Sequence, residues 1–167
     1  MINYKISNIS LLSDYLNLYK TCFPGFKKNI KYFKWLYQDS PMGTYIGIDA
    51  FDGERLVGQI GGVPCNFKFC NREIKTLVSI NICINKSYRG GKIFFNLSSN
   101  FEKLLIDNNY DLLIAIGNKM ATSAWIKSLK LRNLGQLKSY IGFNNFSNKQ
   151  ISLKNYNLFM NWQKDTI

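Results

Sequence analysis

The 167-residue chain contains no histidine and only ten acidic residues. The absence of histidine excludes Ser-His-Asp and Cys-His nucleophilic mechanisms and histidine-ligated metals. It also removes the side chain that most often acts as a general base. Any proton transfer must therefore rely on a carboxylate, a tyrosine, another polar side chain or water.

Long apolar runs are missing as well. The longest covers residues 112–116, far short of a membrane span, and the first residues lack the apolar core of a signal peptide. We therefore predict no membrane span and a soluble, cytoplasmic protein. The apolar fraction of 46% is enough for one domain with a full core.

The four cysteines, Cys22, Cys65, Cys70 and Cys83, form no Cys-x-x-Cys pair. Their spacing suits neither a zinc site nor a disulfide framework. The sequence therefore predicts reduced, partly buried thiols and no bound metal.

The net charge of +12 would suit nucleic acid or another polyanion. However, 18 of the 22 basic residues are lysines, and the abundance of Lys, Asn and Ile is typical of an AT-rich coding sequence. The lysines are also spread along the chain, apart from a group at positions 27, 28, 31 and 34. A dedicated nucleic-acid surface is therefore the less favoured interpretation, and a small anionic ligand would benefit from the same field.

Hydrophobic periodicity predicts an α/β (α+β) fold with a mixed, mostly antiparallel central sheet and helices on both faces. The predicted elements are helices within 10–38, divided at Pro24-Gly25, strands at 45–51, 55–63 and 74–85, a helix at 91–108, a strand at 111–116, a helix at 121–131 and a strand at 137–143. Within the strand at 74–85, alternation places Leu77, Ser79, Asn81 and Cys83 on one face and Val78, Ile80, Ile82 and Ile84 on the other.

The segment from residue 79 to residue 95 reads as a strand, a glycine-rich turn and the start of a helix. The turn is Arg89-Gly90-Gly91-Lys92, and the helix-like pattern begins at Ile93. Such an arrangement points backbone N–H groups and a helix N-terminus at phosphates, and glycine lets the backbone approach the anion closely. The sequence therefore predicts a site for a phosphorylated cofactor.

Three segments carry a resemblance to a known family. They are Tyr88-Arg-Gly-Gly-Lys-Ile-Phe94, Asn118-Lys-Met-Ala-Thr-Ser123 and Lys127-Ser-Leu-Lys-Leu131, with Leu56-Val-Gly58 upstream. In these segments and in element order over about residues 10–143, the chain resembles the Gcn5-related N-acetyltransferase superfamily. It is most similar to a bacterial branch with a Tyr-Arg-Gly-x-x-Ile-Phe turn.

The resemblance implies a coenzyme A-dependent N-acyltransferase that transfers acetyl from acetyl-CoA to a primary amine. The amine would belong to an amino sugar, a lysine or an aminoacyl-tRNA, and no metal would take part. The implied cofactor-binding residues are Ile82, Cys83 and Ile84 through their backbone, Arg89, Gly90, Gly91, Lys92 and Ile93 around the pyrophosphate, and Asn118 and Ser123 along the slot. The strand at 112–116 would splay from the strand at 80–84 to open that slot.

The chain departs from the family pattern at positions that matter for chemistry. Lys92 stands in place of the second turn glycine, and Lys130 in place of a glycine that ends a helix. The carboxylate frequent on the fourth strand is absent, which leaves Ser79 and Asn81 as candidate catalytic residues that could hold a water chain. The tyrosine that often protonates the leaving thiolate should fall near Ile126, and no tyrosine stands there.

Two alternatives therefore stay open. One is a catalytically inactive acyl-CoA-binding or adaptor protein on the same fold, and the other is a basic nucleic-acid-binding protein. The predicted domain covers residues 1–146. Residues 147–167 are predicted to form a helical tail that docks on the domain or on a partner subunit, so a homodimer is a further possibility.

Overall fold

A computed structural model describes residues 1–117 and 119–135 of the chain. Its strands are β1 (Ile2–Ile6), β2 (Ile46–Asp52), β3 (Arg55–Pro64), β4 (Phe67–Phe69), β5 (Arg72–Ile74), β6 (Thr76–Ser79), β7 (Cys83–Ile84) and β8 (Leu112–Ala115). Its helices are α1 (Leu12–Cys22), α2 (Ile30–Tyr37), α3 (Ile93–Asp107) and α4 (Lys119–Leu129). No helix within the described ranges is long and apolar enough to cross a membrane.

The main sheet has the strand order β1-β2-β3-β6-β8, and β7 also pairs with β3. All of these pairs are antiparallel except β6 with β8, where Thr76 is aligned with Leu112 and Ser79 with Ala115. The predicted mixed, mostly antiparallel sheet is therefore confirmed. The predicted strand at 137–143 and the predicted tail at 147–167 lie outside the described residues.

Local sequence signals explain how the first two helices are separated. Helix α1 ends just before Pro24-Gly25, and Gly25 adopts a φ of +87°, which suits glycine. Helix α2 begins after Asn29, whose side-chain oxygen accepts a hydrogen bond from the N–H of Tyr32. This N-cap satisfies one of the donors that a helix start leaves free.

The two faces of the sheet carry separate hydrophobic cores. On one face, α3 packs over β2 and β3, with Leu97 and Phe101 fully buried. On the other, α1 packs against β3 and β7, and α1 and α2 together bury a cluster of aromatic side chains that includes Phe33. Helices on both faces were predicted, and the structure confirms them.

The predicted continuous strand at 74–85 is wrong. The residues pair with β3 in two registers, because Ser79 lies opposite Gly62 and Cys83 lies opposite Gln59. Two residues of β3 therefore face three residues, 80–82, of the other strand, which is a β-bulge. At its centre Asn81 has a φ of +55°, in the left-handed region that asparagine tolerates better than most residues.

The bulge also corrects the predicted strand faces. Leu77 packs in the core under α3, whereas Cys83 packs in the core under α1 and α2. Ile80 lies against the α1–α2 core and Ile84 against the α3 core. Both pairs were predicted to share a face, and they do not, because one extra residue inverts the alternation beyond it.

Strand β1 was not predicted. It pairs along its whole length with β2, from Ile2 opposite Asp52 to Ile6 opposite Ile48. Its alternation is weak, because Asn3, Lys5 and Ile6 are all exposed. The strand forms because β2 offers it a free edge, and that condition is not visible in residues 2–6 themselves.

Helix α4 is followed by a lysine in a conformation that favours glycine. Lys130 has a φ of +51°, at the position where the family resemblance expects a helix-ending glycine. A non-glycine residue in this region costs roughly 1 kcal/mol.

We therefore expect Lys130→Gly to raise the free energy of unfolding by about 0.5–1 kcal/mol in urea titrations, whereas Lys127→Gly, inside α4, should lower it. Equal effects of the two variants would contradict the left-handed assignment.

Candidate active site

The turn before α3 leads into a helix N-terminus that no side chain caps. Lys92 stands at the N-cap without a side-chain cap, and no acidic residue lies in the first turn of α3. The first N–H groups of a helix have no partner within the helix, and its dipole favours negative charge there. Gly90 has a φ of +84°, and a Cβ on Gly91 would meet nothing within 4 Å. The backbone at this turn is thus accessible to a phosphate-sized group.

Two cations flank this turn. Arg89 and Lys92 are both exposed, and the Arg89 Nε donates a hydrogen bond of 2.9 Å to the carbonyl of Ile84 at the end of β7. This bond connects the turn to β7, whose backbone the resemblance assigns to cofactor binding. The structure therefore links Arg89 to Ile84, and the assignment of residues 82–84 and 89–93 to one ligand stays a prediction.

The sheet opens beside β7. The ladder between β6 and β8 runs as far as Ser79 and Ala115, and within the described residues β7 pairs with β3 and not with β8. The extra residue at Asn81 lies where this separation begins. A bulge leaves its extra residue outside the ladder, so its backbone groups become available to other partners.

The two candidate catalytic side chains have different partners. The Ser79 hydroxyl is buried and donates to the carbonyl of Gly61 at 2.9 Å. The half-buried Asn81 directs its Nδ2 to the Tyr37 hydroxyl at 3.5 Å. Ser79 thus stabilises the β3–β6 contact, whereas Asn81 connects the bulge to α2 and keeps its Oδ1 as an acceptor.

One buried carboxylate, that of Asp49, was not identified from the sequence as a functional residue. Asp49 in β2 is fully buried and accepts hydrogen bonds of 2.7 Å from both the Ser7 and the Tyr15 hydroxyls. Burial raises the pKa of Asp49 to about 6, although these two hydrogen bonds oppose the shift. The available signal was a single carboxylate inside the apolar strand at residues 46–51.

Asp49 and Asn81 belong to neighbouring parts of one polar network. Asp49 lies opposite Gln59 in the β2–β3 register, and the buried Tyr37 hydroxyl donates to the Gln59 Oε1 at 3.0 Å. Tyr37 also stacks on Tyr45, with ring centroids 4.0 Å apart and an interplanar angle of 6°. Gln59 and Tyr45 thus fix the Tyr37 ring, and Tyr37 in turn holds the Asn81 amide.

Three tyrosines elsewhere in the chain, Tyr45, Tyr88 and Tyr140, are other possible proton donors, and their surroundings differ. Tyr88 donates to Asp52 at 2.8 Å, and this hydrogen bond raises the pKa of Tyr88. Tyr45 is buried, which raises its pKa well above the ordinary value. Tyr140 lies outside the described residues.

The second predicted segment of the slot is described only in part. Asn118 lies outside the described residues, and Ser123 is exposed on α4. Trp125 is buried and Ile126 is 41% exposed, so the described part of α4 carries no phenol where the resemblance expects one. A separate cavity of about 170 Å³ lies at the opposite end of α3, beside Leu105, Ile106 and Tyr110, away from the turn.

No protein-family model matches the sequence, and no curated protein matches it. Solved structures do match the fold. A predicted acetyltransferase with acetyl-CoA from Clostridium acetobutylicum is 11% identical, with 86% of this chain and 96% of that chain covered at a TM-score of 0.65. A GCN5-related N-acetyltransferase from Ralstonia eutropha is 13% identical, with 84% and 99% covered at a TM-score of 0.65.

An aminoglycoside N-acetyltransferase in complex with CoA is similar to the same extent. It is 11% identical, with 85% of this chain and 95% of that chain covered at a TM-score of 0.64. At a sequence identity this low, these matches show the shared fold alone. The chain therefore has the fold of the Gcn5-related N-acetyltransferases.

Proposed function

We propose that this protein is a coenzyme A-dependent N-acyltransferase that transfers acetyl from acetyl-CoA to a primary amine. The observation that carries the proposal is the uncapped N-terminus of α3 behind the turn at residues 89–92, next to the point where β7 separates from β8. Acetyl-CoA would supply a thioester whose acyl carbon an amine can attack. The CoA and acetyl-CoA complexes of proteins with this fold support the choice of donor.

The chain's own groups fit a pyrophosphate at the turn. Backbone N–H groups of the first turn of α3 would donate to phosphate oxygens, and Arg89 and Lys92 would add positive charge. Lys92 has a helical φ of −73°, so this position does not need the glycine of the family pattern. Roles for Asn118 and Ser123 along the slot remain part of the proposal.

Catalysis would depend mainly on positioning. Acyl transfer to an amine gains most from holding the two reactants in line and from donors aimed at the developing oxyanion. Asn81 has its Nδ2 directed to Tyr37, so its Oδ1 can orient the amine or a water that takes up the amine proton. Ser79 contributes by fixing the strand before the bulge, through its hydrogen bond to Gly61.

The acceptor is proposed as a primary amine, and the first class to screen is small amino sugars. Solved proteins of this fold include aminoglycoside acetyltransferases, one of them in complex with sisomicin. A lysine side chain and an aminoacyl-tRNA remain in the screen, since the net charge of +12 would favour a polyanionic acceptor.

A second candidate is an acyl-CoA-binding protein without turnover. The observation that favours it is the pair Trp125 and Ile126, which occupies the α4 position where the resemblance expects a proton-donating tyrosine. Binding alone would need the α3 turn and not this tyrosine. Binding and turnover therefore separate the two candidates.

The binding experiment is a calorimetric titration with CoA and acetyl-CoA. We expect Gly91→Trp to weaken binding at least about tenfold, because an indole would fill the open space over the helix N-terminus. Lys92→Gln should weaken it about threefold. The matched controls are Ser99→Trp and Lys103→Gln, both at exposed positions of α3 beyond its first turn, and we expect wild-type affinity for them.

The turnover experiment measures CoA release by chromatography with a panel of amines. Release that depends on an amine supports the enzyme, and tight binding without release supports the second candidate. A folded wild-type protein that does not bind CoA would reject both and direct attention to nucleic acid.

A further inference from the structure

Two of the four cysteines lie together behind the candidate site. Cys22 is the last residue of α1 and Cys83 is the first residue of β7, with exposures of only 4% and 5%. The other two, the half-buried Cys65 and the exposed Cys70, belong to the region of the β4–β5 hairpin. No disulfide joins any of the four in this structure.

The two buried cysteines lie where helix α1 meets strand β7. Helix α1 packs on β7, and both cysteines belong to the same buried cluster. Each thiol shifts the pKa of the other, the Arg89 guanidinium also lowers the pKa of Cys22, and the Arg89 Nε donates a hydrogen bond to the carbonyl of Ile84. The pair is thus fixed by three elements: the end of α1, strand β7 and the turn before α3.

The surroundings give the two thiols different acidities. The interaction with Cys83 lowers the pKa of Cys22 to about 7, with further help from Thr21 and Arg89 against the effect of burial. Burial raises the pKa of Cys83 well above its ordinary value. The thiolate is the reactive form of cysteine, so Cys22 is the better nucleophile for reaction with an oxidant. Cys83 stays a thiol and is available to react with the oxidised Cys22 in a second step.

We propose that Cys22 and Cys83 form a modification site, a dithiol that a hydroperoxide oxidises to an intramolecular disulfide bond. The Cys22 thiolate attacks the peroxide oxygen, the O–O bond breaks, and a sulfenic acid and one water result once the leaving oxygen takes a proton. The Cys83 sulfur then attacks the Cys22 sulfur, and the second water leaves. The two thiols lose two protons and two electrons, and one hydrogen peroxide is reduced to two waters.

The disulfide would join the end of α1 to the strand beside the candidate phosphate turn. It needs no part of the proposed acyl transfer, because its formation is measured on the protein alone. The sequence had predicted reduced, partly buried thiols and no disulfide framework. The dithiol agrees with reduced thiols as the resting state and adds a specific oxidised state.

The test treats the folded protein with a small excess of hydrogen peroxide and then blocks free thiols under denaturing conditions. Before blocking, we expect an intact mass about 2 Da below that of the reduced protein; after blocking, the oxidised protein should carry two fewer labels, and digestion should give a peptide pair that links Cys22 with Cys83. Dithiothreitol should restore the original mass. The double variant Cys65→Ser/Cys70→Ser keeps only the proposed pair, and its count of free thiols should fall from two to none.

Single variants provide the control for the pathway. Cys83→Ser leaves Cys22 without a partner, so peroxide should give oxygen adducts on Cys22 and no internal disulfide. A disulfide that includes Cys65 or Cys70 in the wild type would overturn the proposal. So would two free thiols in the peroxide-treated double variant, provided that circular dichroism shows it folded.

Discussion

Gly61→Ala should lower the free energy of unfolding by about 3 kcal/mol, among the largest effects of any single methyl group in this protein. A Cβ at Gly61 would overlap the Tyr45 hydroxyl and lie 2.5 Å from both the Tyr45 Cζ and the carbonyl oxygen of Ile46. The Tyr45 ring cannot easily move away from the added methyl group, because it is buried and stacked on Tyr37. The strand must shift instead, and the β2–β3 pairing with it.

Urea unfolding of Gly61→Ala and Gly91→Ala measures this difference. Gly91 is the matched control, because a Cβ there meets nothing within 4 Å and its φ is not in the left-handed region. We expect Gly91→Ala to be neutral or to stabilise by about 0.5 kcal/mol through the unfolded state. A loss below about 1 kcal/mol for Gly61→Ala would show that Tyr45 does not lie over β3.

The fold was largely predictable from the sequence because its helices are strongly periodic. Helix α3 covers Ile93–Asp107 within the predicted 91–108, and α1 and α2 lie on either side of the predicted break at Pro24-Gly25. The turn at residues 89–92 was also recognisable, since glycines between a strand and a helix have a local meaning. These features depend on residues close together in the chain.

The bulge at Asn81 was not predictable from the same information. Its left-handed φ arises because residues 76–79 and residues 83–84 pair with β3 in registers that differ by one residue. Alternation in the sequence continues across the break, so it predicts a straight strand. Asn81 was still singled out as a candidate from its polar side chain, and the structure adds the backbone conformation and the contact with Tyr37.

The polar network under the bulge was missed for a different reason. Its contacts join residues far apart in the chain, such as Ser7 with Asp49 and Tyr37 with Gln59. The tyrosines of α1 and α2 were interpreted only as the apolar side of amphipathic helices. The hydroxyls of Tyr15 and Tyr37 nevertheless reach through the core to Asp49 and Gln59 in the sheet, and these hydrogen bonds offset the cost of burying the polar groups.

These two features together explain how the site could be held in place. The bulge separates β7 from the β6–β8 ladder. Asn81, at the centre of the bulge, has a strained backbone conformation, and such a conformation persists only when the surrounding structure fixes it. Tyr37, held by Gln59 and stacked on Tyr45, supplies that support from the opposite side of the sheet to α3. Stability of the aromatic core and geometry of the proposed site are therefore coupled through Tyr37.

The second large effect is the pH dependence of stability that Asp49 causes. The pKa of the Asp49 carboxyl is near 3.8 when unperturbed and about 6 in the folded protein, because burial disfavours the charged form. Between these values the folded state keeps a proton that the unfolded state has released, so stability falls as pH rises. The contribution is fully present below about pH 4 and is lost as pH rises through about 6. A shift of about two units corresponds to about 3 kcal/mol.

We therefore expect Asp49→Asn to remove this dependence. Relative to wild type, the variant should gain about 2.5 kcal/mol of stability between pH 4 and pH 7, since an amide stays neutral throughout. Urea titrations at both pH values measure it, with Glu102→Gln on the exposed face of α3 as the control for loss of a carboxylate. If both variants change equally with pH, Asp49 is solvated in the folded protein, and the network of Ser7, Tyr15 and Asp49 is not closed as described.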